Sequence, residues 1–257
     1  MATQQLKMVE GKPAILLGKA LVIADLHLGI EKEFREAGIR MPSRTRYLAG
    51  KVLDMLQSTK AAKLIILGDV KHHVTGISYH EMREIPEFFR LLDGYDIEII
   101  PGNHDGAIGK VAGNVQVGKP EGFLLGRYYL LHGQAWPAHS CRNAEMIITG
   151  HVHPELDIID SLGHRWREPA WVLARLNGSF RRRYRCQQEI SMLVMPAFNE
   201  LVGSRGIKME AQTSPLMKHA DLERAEIFLT DGTLIGTAGK INQRLGGARR
   251  TPRTPRK

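Results

Sequence analysis

Ala20-Leu21-Val22-Ile23-Ala24-Asp25-Leu26-His27 carries the reading on which the fold turns. Five consecutive apolar residues predict a strand buried on both faces, and the chain passes from it directly into Asp25 and His27. The same arrangement recurs downstream. Lys63–Leu67 (KLIIL) ends in Gly68-Asp69, and the apolar run 97–100 ends in Pro101-Gly102-Asn103-His104-Asp105. Between these runs, 43–58 spaces Leu48, Val52, Leu53 and Leu56 at helical intervals behind Pro42, with Ser43 as the expected cap. Residues 81–92 predict a helix interrupted or restarted at Pro86. Strands alternating with helices predict a largely parallel sheet whose ligands sit at the carboxyl ends of its strands.

The second half has a different texture. Phe123–Leu125, Tyr128–Leu131, Met146–Thr149, 156–159, 171–176, Ser191–Val194, 225–229 and 233–235 are short apolar runs bounded by turns. They predict a second, more antiparallel sheet, with Asp231-Gly232 as a hairpin turn between the last two.

Bulk properties narrow the class. Of 257 residues, 43% are hydrophobic and 25% charged, a balance that can bury a core and excludes a wholly disordered chain. The first residues lack the apolar run of a secretory signal, and no stretch approaches the roughly 18 apolar residues of a membrane span, so the expectation is a cytoplasmic protein with no membrane partner. Cys141 and Cys186 are too few for a disulfide framework and read as ordinary buried thiols. The formal charge is +9, but residues 240–257 hold seven Lys or Arg and no acid; subtracting seven from nine leaves +2 for the rest. That Gly-, Pro- and Thr-rich segment is expected to be a disordered basic tail behind one domain spanning 1–239. Inside the domain, 181–185 is a compact basic cluster interleaved with Tyr184.

The chemistry lies in five motifs in chain order: Asp25-Leu26-His27, Gly68-Asp69, Gly102-Asn103-His104-Asp105, His132-Gly133 and Gly150-His151-Val152-His153. An Asp or Asn after a strand is commonly a turn former, and a lone buried His commonly satisfies a local hydrogen bond. Nearly all five directly follow an apolar strand, and Asp-x-His or His-x-His there can bring two ligands to one metal while adjacent glycines permit close backbone approach. Imidazole mixed with carboxylate and carboxamide suits Mn, Fe or Zn better than Ca or Mg, and the absence of Cys argues against a structural zinc site.

From Asp25 to His153 the set resembles the calcineurin-like metallophosphoesterases, whose ordered pattern is D-x-H, G-D-x-x-[D/H], G-N-H-[D/E], H and G-H-x-H. The resemblance implies two mixed β-sheets packed face to face with helices outside. It implies one divalent metal, with Mn the first expectation, held by Asp25, His27, Asp69 and His153, and a second held by Asp69, Asn103, His132 and His151, with Asp69 bridging. His104 would be the general acid at the leaving oxygen. Where many members carry Asp, this chain has His72, which resembles the SbcD-like nuclease branch; His72 is expected to hydrogen-bond His104 and orient it, whereas His73 reads as a loop histidine. The segment 193–200 resembles the closing strand and loop of small SbcD-related phosphoesterases, with Asn199 and Glu200 expected along the cleft.

Three functions are compatible with this reading. The first is hydrolysis of phosphodiesters in DNA or RNA, favoured by His72, the 181–185 cluster and the basic tail. The second is hydrolysis of a small phosphate ester such as a nucleotide or cyclic nucleotide, which the same centre would serve. The third, a binding module without chemistry, is disfavoured because every expected ligand and His104 are present.

Overall fold

The computed structural model describes residues 5–160, 162–203 and 214–241. Among them, the first sheet contains β1 (Leu6–Met8), β2 (Ile15–Leu17), β3 (Ala20–Ala24), β4 (Lys63–Leu67), β5 (Asp96–Ile100) and β6 (Gln116–Val117), in that spatial order. The first three pair antiparallel, and β3 through β6 run parallel. Helices α1 (Glu31–Glu36), α2 (Thr45–Thr59) and α3 (Glu81–Leu91) fill the connections.

The second sheet contains β7 (Phe123–Leu125), β8 (Tyr128–Leu131), β9 (Met146–Thr149), β10 (Glu155–Ile159), β11 (Arg165–Arg175), β12 (Ser191–Val194), β13 (Glu226–Leu229) and β14 (Leu234–Thr237). Within it β8, β9 and β12 are parallel neighbours and the remaining pairs are antiparallel. Helix α4 (Gly178–Tyr184) lies against its outer face.

The period-2 alternation of strand side chains builds the layers. In β3 and β4, Leu21, Ile23, Leu64 and Ile66 face α2 and α3, while Val22, Ala24, Ile65 and Leu67 face the second sheet. From that sheet Leu130, Ile148, Trp171 and Leu193 point inward, and Tyr129, Ile147, Val172 and Met192 point outward beneath Phe180 and Tyr184 of α4. Two mixed sheets are thus packed as a sandwich with helices outside, the metallophosphoesterase-like fold expected from the sequence.

Several local expectations change. The N-cap of α2 is Arg44, not Ser43; the Ser43 hydroxyl accepts from the Thr45 N–H at 3.2 Å and donates to Glu84, tying α2 to α3. Helix α3 runs through Pro86 without a break. An internal proline costs about 3 kcal/mol, but Ile85, Phe88 and Phe89 are buried, and each large apolar side chain returns about 1.5–3 kcal/mol. Strand β11 begins at Arg165 rather than 171, because its polar first half pairs with β10 in a hairpin. The 181–185 cluster falls largely on α4. Both cysteines are free and buried. Of the expected tail, 242–257 lies outside the described residues, and Ile241 packs on the outer core. No helix among the described residues is long and apolar enough to cross a membrane.

Candidate metal centre

Each expected ligand is delivered at or just beyond the carboxyl end of a parallel strand: Asp25 and His27 from β3, Asp69 from β4, Asn103 from β5, His132 from β8, and His151 and His153 from β9. The two sheets meet at these ends. The His151 N–H donates to the Asp25 carboxylate at 3.1 Å, and the His132 ring Nδ1–H donates to the Leu67 carbonyl at 2.7 Å.

Two donor groups result, and they share Asp69. Asp25, His27, Asp69 and His153 form one, and Asp69, His132 and His151 the other, each with ligand atoms mutually within 4.8 Å. Nε2 of His153 lies 3.0 Å from Asp25, Nε2 of His27 3.6 Å from Asp69, and Nε2 of His132 3.2 Å from Asp69. The Nε2 atom of His27 is buried and makes no hydrogen bond among the described residues. A buried polar atom without a partner is costly, and lone pairs converging with two carboxylates fit a divalent cation. Asn103 is exposed, flanked by Gly102 and His104, both of which touch Asp69.

The backbone is strained where the ligands sit. Asp25, His27, Asp69, His151 and His153 all have positive φ, from 43° to 70°. This left-handed region costs on the order of 1–3 kcal/mol per non-glycine residue. Surrounding bonds hold the strain: Asp25 N–H donates to the Gly68 carbonyl at 3.1 Å and His27 N–H to the Asp69 carbonyl at 2.8 Å. Glycines supply the remaining room. A Cβ on Gly102 would lie 2.1 Å from Asp69 Oδ1, and one on Gly150 would lie 2.6 Å from Asp25 Oδ2.

Burial opposes ionisation of Asp25, but His153 and His132 outweigh it and hold the carboxyl below its usual range. Asp69 is likewise lowered: burial opposes its charge, while its bond to His132 and the charges of His132 and His27 favour it. Burial pushes His27 down to about 3, which leaves its ring neutral. For His132 burial acts downward, but Asp69 and Asp25 raise it to about 9. Ionised carboxylates and a neutral His27 form a donor set suited to cations, and His132, anchored through Nδ1, would join it on releasing its Nε2 proton.

The expected bond between His72 and His104 is made through the main chain of His72 and not through its ring. His104 Nδ1 contacts the backbone carbonyl of His72, while the His72 ring sits 3.2 Å from His27 Nδ1 and 2.8 Å from Glu33. Because residue 72 reaches His104 through its main chain, its side chain is free to turn the other way, toward His27. His104 Nε2 is left facing Asp69 at 3.9 Å.

Three supporting residues received no such role from the sequence. Asp105 is buried and accepts from the Val70, Lys71 and Gly102 N–H groups at 2.9, 3.2 and 2.9 Å, clasping the loops after β4 and β5. Glu81 accepts from the N–H groups of His72, His73 and Ser78 and from the Ser78 hydroxyl. Asn199, expected to line the cleft, is buried; its Nδ2 donates to the Leu26 carbonyl at 2.9 Å and so braces the Asp25 loop. Glu200 instead pairs with Arg44 and Lys51. Only Asp105 had a signal, its place inside Gly102-Asn103-His104-Asp105. A cavity of about 540 Å³ between α3 and the β5–β6 edge is lined by Phe89, Tyr95 and Val111 and by none of the candidate ligands.

No family model and no curated protein matches the chain. Among solved structures, the nuclease MPE of Pseudomonas putida matches with a TM-score of 0.52 and 20% identity, covering 88% of this chain and 98% of that one. Yfce, a phosphoesterase from E. coli, matches with a TM-score of 0.40 and 14% identity over 84% of this chain and 96% of that one. At these identities the first likeness establishes the fold.

Proposed function

We propose that this chain is a metal-dependent phosphoesterase, and that the observation carrying this reading is the convergence of two His/Asp donor groups on a shared Asp69. Asp25, His27, Asp69 and His153 would hold one divalent ion, and Asp69, Asn103, His132 and His151 the other. The imidazole-rich set favours Mn, Fe or Zn. Bound ions would supply charge to the phosphoryl oxygens and a nucleophilic water at neutral pH.

The protein's own contribution is positional. His104 Nδ1–H is tied to the His72 carbonyl, which leaves Nε2, the atom facing the centre, as the nitrogen through which the ring would exchange a proton. That makes His104 the candidate acid for the leaving oxygen. The His72 ring, between Glu33 and His27, orients a ligand, while its carbonyl orients the acid. We read the substrate as a phosphodiester, and the His72 variant supports a place near the SbcD-like nuclease branch, with nucleic acid preferred over a small ester.

The test is hydrolysis of bis-p-nitrophenyl phosphate by metal-stripped protein reloaded with Mn, Fe or Zn. Turnover should return with metal, disappear in His104→Ala with metal content intact, and disappear in Asp69→Ala together with metal. Absence of turnover with all three metals, or an unchanged rate in Asp69→Ala, would overturn the proposal.

A further inference from the structure

We propose that α4 and Trp136 form a binding surface for a single strand of nucleic acid leading to the metal centre; this rests on the reading of that centre as a phosphodiesterase. The loop leaving His132 connects the two places. The Gln134 side-chain amide donates to the Pro101 carbonyl at 2.9 Å, beside Gly102-Asn103, and the Gly133 carbonyl accepts from Ser214 at 2.6 Å. Two residues further on, Trp136 packs on the outer core, and the Arg183 guanidinium lies 3.8 Å over its ring.

That stack orders a long, exposed side chain without occupying its N–H edges on a carboxylate. Arg182, Arg183, Arg185 and Lys218 are all exposed, and none has a carboxylate within ion-pair distance among the described residues. Several cations on other faces are neutralised. Arg44 and Lys51 share Glu200, Arg46 meets Glu87, and Arg127 meets Glu145. The wall that begins at a candidate metal ligand therefore carries Arg182, Arg183, Arg185 and Lys218 as a group of unpaired cations on and beside α4. A pre-ordered guanidinium on an indole, amid unpaired cations, matches a sugar-phosphate backbone with bases able to stack.

Binding of a fluorescent single-stranded oligonucleotide of roughly 20 residues to the full chain, read in EDTA across a salt series, tests this independently of the centre. The double variant Arg182→Gln/Arg183→Gln should bind roughly tenfold or more weakly, with a log–log salt slope smaller by about 1.4, since each lost contact to a single strand removes about 0.7. Arg183→Lys, which keeps the charge and loses the stack, should fall between parent and double variant. Unchanged affinity and slope in a double variant that melts like the parent would overturn the proposal. Equal competition by polyglutamate at matched charge would overturn it too, because stacking would then contribute nothing. A parent that binds the strand but never hydrolyses bis-p-nitrophenyl phosphate would remove the reading of the centre and leave the surface standing.

Discussion

The His151 N–H donates to the Asp25 carboxylate across 3.1 Å, joining residues 126 positions apart and two different sheets. The same carboxylate lies 3.0 Å from His153 Nε2 and 3.7 Å from His132 Nδ1, so one buried acid faces three histidines that follow two strands of the second sheet. The first prediction concerns that acid. Asp25→Asn keeps the shape and removes the charge, and it should lower bound Mn per chain while leaving far-UV circular dichroism unchanged. Full metal retention by elemental analysis would show that Asp25 serves only to join the sheets.

Gly102→Ala tests close packing against the shared carboxylate. With Asp69 Oδ1 2.1 Å from the new Cβ, either the side chain or the loop after β5 must shift. Displacing a ligand in this way should lower metal affinity by roughly 10- to 100-fold. Gly50, inside α2 with nothing within 4 Å of an added Cβ, is the control: Gly50→Ala should raise stability by about 0.5–1 kcal/mol. Parent-like titration of metal into Gly102→Ala would refute the packing argument.

Glu81→Gln tests the clasp on the loop that carries His72. Four donors converge on the carboxylate, and an amide can accept on only one of its two termini. Losing bonds to a buried charged acceptor should cost about 2–3 kcal/mol in urea unfolding. A change below about 0.5 kcal/mol would mean that the loop is held by other contacts.

The thiols give a pH prediction. Burial, with Cys186 nearby, pushes the Cys141 thiol up to about 12 from its usual 9.0. Between those values the unfolded chain releases a proton that the folded chain keeps. Stability should therefore fall as pH rises above about 9, with this thiol contributing up to about 1.4 kcal/mol per pH unit. Below pH 9 it contributes no slope. Native protein at pH 8.5 should resist iodoacetamide at Cys141 and react once unfolded; rapid native alkylation would contradict the burial.

Removing metal supplies a last check. Strained candidate ligands at positive φ and the unpartnered Nε2 atom of His27 should make the centre a local weak point without an ion. Saturating Mn should raise the melting temperature by several degrees through mass action, and EDTA should reverse it. A melting temperature indifferent to both would argue that no ion binds there.

The strands that carry the candidate ligands were legible from the chain because doubly buried strands must be continuous apolar runs. Ala20–Ala24, Lys63–Leu67, Tyr128–Leu131 and Met146–Thr149 have the expected bounds. Elements stabilised by neighbours rather than by their own pattern were not. The short edge strands β1, β2 and β6, the polar half of β11 and the passage of α3 through Pro86 depend on partners distant in sequence.

Sequence alone determined which side chains could bind metal and that each follows a strand, since residue type and apolar period are local properties. Tertiary structure decided who touches whom. The His72 ring turned to His27 and Glu33, Glu81 and Asp105 became loop clasps, and Arg183 came to rest on Trp136. Such contacts are set by how two sheets pack, a distance through space that no spacing along the chain encodes.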